Sequence, residues 1–291
     1  MCDQESMDDL LAYQLKAGLS RREFGALTLG AGLLAALPRG ADAAEVSEAE
    51  VDIKTPDGVA DAYFVHPVKG SAPAVLVWPD AFGLRPAFRQ MGKRLAESGY
   101  AVLVVNPFYR EKHAPTSPPN PDFNDPVVRD ALMAQMNALT PQTAITDATA
   151  FLAWLDSQPA VDRKRRAGTT GYCMGGALTM RTAATLPGRI GAGASFHGGG
   201  LVTDKPDSPH LLIPKIKAHY LIAIAANDDE KQPDAKTTLR EGFAAARVPA
   251  EIEVYVGTMH GWCPPDSRVY NAEAAEKAWE RLLVLFKAAL V

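Results

Sequence analysis

The 291 residues are 47% hydrophobic and 22% charged, an ordinary globular balance that excludes a disordered or fibrous chain and supplies material for one well-formed core. A formal net charge of -4 excludes the broad cationic surface on which binding to nucleic acid or anionic lipid depends. A small-molecule partner is the expectation that remains.

Residues 1–43 differ from the rest. Ser20, Arg21, Arg22, Glu23 and Phe24 lead into an apolar run from Gly25 to Pro38, and Ala41, Asp42 and Ala43 follow. Paired arginines, a short apolar core and small residues are the layout of a twin-arginine export signal. The run is about two-thirds of the roughly 20 residues that a spanning helix needs, so no permanent membrane anchor is expected. The alternative is a dispensable amphipathic helix with a chance arginine pair. Export through the twin-arginine machinery implies a periplasmic or secreted chain beginning near Ala44 or Glu45. Only Cys173 and Cys263 then remain, and in an oxidising compartment they are either a disulfide pair or two thiols delivered by a folded cargo.

Val51 to Thr55 and Val59 to Val65 flank Pro56, Asp57 and Gly58 and alternate as a hairpin. Ala74 to Trp78 and Ala101 to Val105 are continuous aliphatic runs with helical periodicity from Ala87 to Ser98 between them, a βαβ unit. Prolines at 115, 118, 119, 121 and 126 prevent regular structure from Tyr109 to Pro126, a segment that either roofs a site or connects through solvent. Helix is expected for Thr143 to Leu155, strand for Ala167 to Gly171, helix for Gly175 to Thr185 and strand for Ile190 to Ser195. Strand Tyr220 to Ala225, helix Ala235 to Ala245, strand Ile252 to Val256 and helix Ala272 to Ala289 complete the series. The alternation specifies an α/β fold, a doubly wound and mostly parallel sheet with helices on both faces, in one domain from residue 44 to 291.

Gly171, Tyr172, Cys173, Met174 and Gly175 stand between a predicted strand and a predicted helix, with the small-x-nucleophile-x-small spacing of a nucleophile elbow. A sharp strand-to-helix turn puts the nucleophile in strained dihedrals and leaves no room for side chains two positions either way. On such a sheet the acid and the histidine follow the nucleophile in that order. Of the four later histidines, His197 has no acidic residue between it and Cys173, His210 sits in a polar loop, and His219 lies at the amino end of a strand. His260, between Gly257 and Gly261 beyond a strand's carboxyl end, is the expected base, and His197 a pocket or core residue. The orienting acid is expected after Ala225, with Asp228 favoured over Asp229. The backbone N–H groups of Met174 and Ala81 are the candidate oxyanion donors, and Asp80 is placed close to the thiol. No metal or organic cofactor is called for by this chemistry.

From about Glu50 onward the chain resembles the dienelactone hydrolase family of α/β-hydrolases. The resemblance rests on Thr55 to Gly58, the elbow from Gly171 to Gly176, the run Ala226, Asn227, Asp228, and His260, Gly261, Trp262 before a long helix. It implies attack by Cys173 on an ester or lactone carbonyl, proton transfer by His260 and hydrolysis of a thioester. It also implies that Asp80 stands where the family has a Glu that activates the thiol, and that two arginines grip a substrate carboxylate. Arg110, beside Tyr109, approximates the first; the second position is Pro264, with Arg268 the nearest arginine. The competing expectation is a catalytically silent binding or redox-responsive protein with Cys173 and Cys263 as its oxidisable pair.

Overall fold

A computed structural model describes residues 43–119, 121 and 125–291; the expected export signal lies outside the described residues. Strands β1 (Val46–Thr55) and β2 (Gly58–Pro67) form the antiparallel hairpin, longer at both ends than its alternation suggested. They continue into β3 (Ala74–Trp78), β4 (Ala101–Val105), β5 (Ala167–Tyr172), β6 (Ile190–Phe196), β7 (His219–Ala225) and β8 (Ala250–Tyr255). The eight strands form one sheet in the order β1-β2-β4-β3-β5-β6-β7-β8, and all pairings from β4 to β8 are parallel. The doubly wound expectation is met.

Period-two alternation splits each central strand between two cores. Leu76, Trp78, Leu103 and Val105 face one core, while Val75, Val77, Val102 and Val104 face the other. Helices α3 (Pro141–Ser157), α4 (Met174–Thr185) and α6 (Ala235–Ala245) cover the first face through Phe151, Leu178 and Phe243. Helices α1 (Pro86–Glu97) and α7 (Ala272–Ala289) cover the second through Phe88, Leu95, Leu282 and Phe286. Such fully buried side chains contribute about 1.5–3 kcal/mol each, so both layers are required for stability.

Three elements depart from expectation. Helix α2 (Pro126–Ala138) follows the proline-rich segment directly: Pro126 occupies the first helical turn, where its missing N–H costs nothing, and Asp125 caps the helix by accepting from Val127 N–H at 2.9 Å. The acidic run after β7 is a short helix, α5 (Ala226–Lys231), with Asp228 and Asp229 at its positive end. A 3-10 turn, Pro209–Lys215, takes up the loop containing His210. The segment before α2 packs inward, with Thr116 and Ser117 buried and both hydroxyls donating to the Phe82 carbonyl. It therefore roofs the loop after β3.

Candidate active site

Cys173 sits between β5 and α4 with φ 54° and ψ -121°, a conformation that costs a non-glycine residue of order 1–3 kcal/mol. Its neighbours tolerate nothing larger than glycine. A Cβ on Gly171 would lie 2.1 Å from the Gly175 carbonyl oxygen, and one on Gly175 would lie 2.4 Å from the Trp78 carbonyl oxygen. The turn is pinned from several sides. The Cys173 N–H donates to the Phe196 carbonyl at 3.1 Å and to His197 Nδ1 at 3.2 Å, while Gly176 and Gly199 N–H donate to the Cys173 carbonyl. The Cys173 side chain is buried beside Phe108 and Met174. Cys263 is a buried free thiol. The pairing of Cys173 with Cys263 weighed from the sequence is thus absent.

His260 Nδ1 pairs with Asp228 Oδ2 at 2.8 Å, and its backbone N–H donates to Asn227 Oδ1 at 2.8 Å. Two adjacent residues of α5 therefore hold the ring and the loop that carries it. Asp229 points elsewhere, in a double contact with Lys236 at 2.6 and 2.7 Å. Trp262, fully buried and stacked on Tyr255, anchors the other side of the loop.

His197 stands between the elbow and this loop. It is fully buried at φ 40°, and its ring centroid lies 5.2 Å from that of His260. Burial first, and then the proximity of His260, push its pKa well below the ordinary histidine value. The ring is neutral, and since Nδ1 accepts from Cys173 its proton belongs on Nε2.

Met174 and Ala81 are both buried, Met174 as the first residue of α4, where helix N–H groups lack intrahelical partners. Ala81 lies in a turn closed by Phe82 N–H donating to Asp80 Oδ1 at 2.9 Å and Gly83 N–H to the Asp80 carbonyl. Asp80 itself is held by Arg85, whose Nη1 and Nη2 donate to its two carboxylate oxygens at 2.6 and 3.0 Å. Arg85 grips Asp266 with its other edge, through Nε at 2.6 Å and Nη2 at 2.9 Å. Burial opposes the Arg85 charge, but the two carboxylates outweigh it and raise its pKa.

Tyr109 and Arg110 are turned toward the β1–β2 turn. The Tyr109 hydroxyl donates to Asp147 at 2.8 Å, and Arg110 donates to both oxygens of Asp147 and to Asp57. Arg268 is exposed. Sequence reasoning missed Arg85, Asp266 and Asn227. Only Asn227 carried a signal, its adjacency to Asp228.

No group of His, Cys, Asp and Glu among the described residues has the arrangement of a metal site. Residues 60–290 match the profile of the dienelactone hydrolase family. The chain is 27% identical over 221 residues to the carboxymethylenebutenolidase of Rhodococcus opacus, covering 75% of this chain and 82% of that one. Among solved structures it is similar to a dienelactone hydrolase-like promiscuous phosphotriesterase from metagenomic libraries, with a TM-score of 0.69 and 22% identity over 84% of this chain and 99% of that one. The dienelactone hydrolase of Anabaena variabilis gives a TM-score of 0.61 at 15% identity, with the same coverage.

Proposed function

The chain belongs to the dienelactone hydrolase family, and on that premise we propose that it hydrolyses carboxylic esters or lactones by acyl transfer to Cys173, with His260 as general base and Asp228 as its orienting acid. The observation that carries this reading is the Asp228–His260 hydrogen bond, made next to a histidine that itself touches the strained elbow. A carboxylate on Nδ1 fixes the proton there and leaves Nε2 as the basic nitrogen.

His260 Nε2 takes the thiol proton of Cys173, the thiolate attacks the acyl carbon, and the carbonyl electron pair moves to oxygen, where the Met174 and Ala81 N–H groups receive the charge. Collapse expels the alkoxide, which takes a proton from the His260 imidazolium. Water then attacks the thioester and gives a proton to His260, and the thiolate leaves as the acid is released. This chemistry requires an unbridged sulfur. The reading therefore concerns the reduced protein, in which Cys263, the other cysteine of residues 44–291, is a free thiol. Export by the twin-arginine route, supported by Arg21 and Arg22 before the apolar run, completes the proposal. No helix among the described residues is long and apolar enough to cross a membrane.

The test is hydrolysis of an activated ester such as 4-nitrophenyl butyrate by the reduced protein and by Cys173→Ala and His260→Ala, each with an unchanged circular dichroism spectrum. Each substitution is expected to lower kcat/KM by about 10³-fold or more. Wild-type rate in either variant ends the assignment.

A further inference from the structure

Carboxylates occupy both Arg85 and Arg110. Recognition of a substrate carboxylate uses two parallel N–H donors of one guanidinium. Arg85, whose charge is felt at His197, has all three of its nitrogens bonded to carboxylate oxygens of Asp80 and Asp266. Arg110 is likewise divided between Asp57 and Asp147. Each arginine thus answers two carboxylates, and each cluster carries an excess negative charge. Asp228 beside His260 adds another just beyond the carboxyl end of β7.

The space beside the elbow has the opposite character. A cavity of about 300 Å³ opens next to Met174 and is lined by Met136, Leu139, Ala177 and Leu178. Its charged residues are Arg181, Lys205 and Asp207. Arg181 donates to the Asp207 carbonyl at 2.8 Å, with the Asp207 carboxylate at 3.9 Å, while Lys205 and Asp207 are exposed.

Building on the hydrolase reading, we propose that this site is made for an uncharged ester or lactone with an apolar group seated against Met136, Leu139, Met174 and Leu178, and that it disfavours carboxylate-bearing lactones. A substrate carboxylate that reaches for Arg85 has to displace Asp80 or Asp266 and meets the excess negative charge of that cluster. A neutral substrate meets neither cost.

Two measurements on the reduced, desalted full-length protein test the proposal. In the first, mass spectrometry follows alkylation of Cys173 by iodoacetamide and by iodoacetate, with each rate normalised to that of 2-mercaptoethanol. The neutral reagent is expected to be favoured by about tenfold or more beyond the small-thiol ratio, as like-charge repulsion in a poorly screened cleft dictates. In the second, kcat/KM is compared for 4-nitrophenyl butyrate and mono-4-nitrophenyl succinate; a preference of about 10²-fold for the neutral ester is expected by the same repulsion. In Asp266→Asn, which removes one carboxylate from Arg85, both ratios are expected to move toward the anionic reagent. Normalised alkylation rates that are equal, or that favour iodoacetate, overturn the charge preference whatever the esters do. Biased alkylation with neither ester hydrolysed sinks the hydrolase reading and upholds the preference.

Discussion

The backbone N–H of Cys173 donates to the ring of His197 at 3.2 Å, so the residue that holds the elbow in its strained conformation is a neutral, buried histidine. Removing that ring takes away an acceptor and leaves a void in the wall behind His260. His197→Ala is expected to lose about 1–3 kcal/mol of stability and about tenfold or more in kcat with KM little changed, the pattern of a positioning group. Thermal unfolding and steady-state ester kinetics read the two effects, and an unaltered kcat shows that the ring is packing alone.

The same histidine gives stability a defined pH dependence. Its pKa is lowered in the folded state by burial and by His260, so the unfolded chain binds the proton more readily. The contribution is complete above the unfolded value of about 6.5 and is lost as pH falls from there toward the folded value, with a slope of up to about 1.4 kcal/mol per pH unit. Urea unfolding between pH 5 and 7.5 is expected to show this slope in the wild type and a shallower one in His197→Asn. Parallel pH curves for the two proteins contradict it.

Asp228 and Asp229 are neighbours with separate duties. Asp228→Asn reverses the hydrogen-bonding demand on His260 Nδ1 and is expected to lower kcat by about 10³–10⁴-fold. Asp229→Asn gives up a partly exposed pair with Lys236, worth about 0–1 kcal/mol of stability, with kcat within about twofold of wild type. Equal kinetic losses in the two variants refute the division.

Close packing at the elbow sets apart two glycine substitutions of identical chemistry. Gly175→Ala drives a Cβ into the Trp78 and Pro79 carbonyl oxygens at 2.4 and 2.8 Å and is expected to cost about 3 kcal/mol or more, because the backbone at the end of β3 or the start of α4 must move. Gly188→Ala meets nothing within 4 Å and is expected to change stability by less than about 1 kcal/mol. Melting temperatures decide the matter.

Both cysteines of the processed chain are buried, and what distinguishes them is that Cys173 stands at the N-terminus of α4, where a thiolate is favoured. Cys263 is buried and free, and burial pushes its thiol pKa well above the ordinary value. Protein recovered after export is expected to react with 5,5'-dithiobis(2-nitrobenzoate) at one thiol, Cys173, and at Cys263 only on unfolding. Loss of activity should track that first thiol. If Cys263 reacts first in the native protein, the assignment of the reactive thiol is wrong.

Local periodicity and turn chemistry were legible wherever they act within a few residues. Strands β3 and β4 and helices α6 and α7 have the limits their apolar patterns predict. Helix α2 was not legible, because Pro126 reads as a breaker until Asp125 is seen to cap the turn it begins.

The layered sheet, the elbow and the chain order that puts His260 after an acidic run are all legible along the chain. These depend on alternation, on glycines at fixed offsets and on strand order, all of which are written along the chain. Folding in three dimensions selects which aspartate reaches His260, sets His197 against the elbow amide and gives Arg85 and Arg110 their carboxylate partners. Those outcomes join residues separated by 24, 32, 37 and 181 positions, distances at which linear spacing carries no angular information and competition among buried charges chooses the partner.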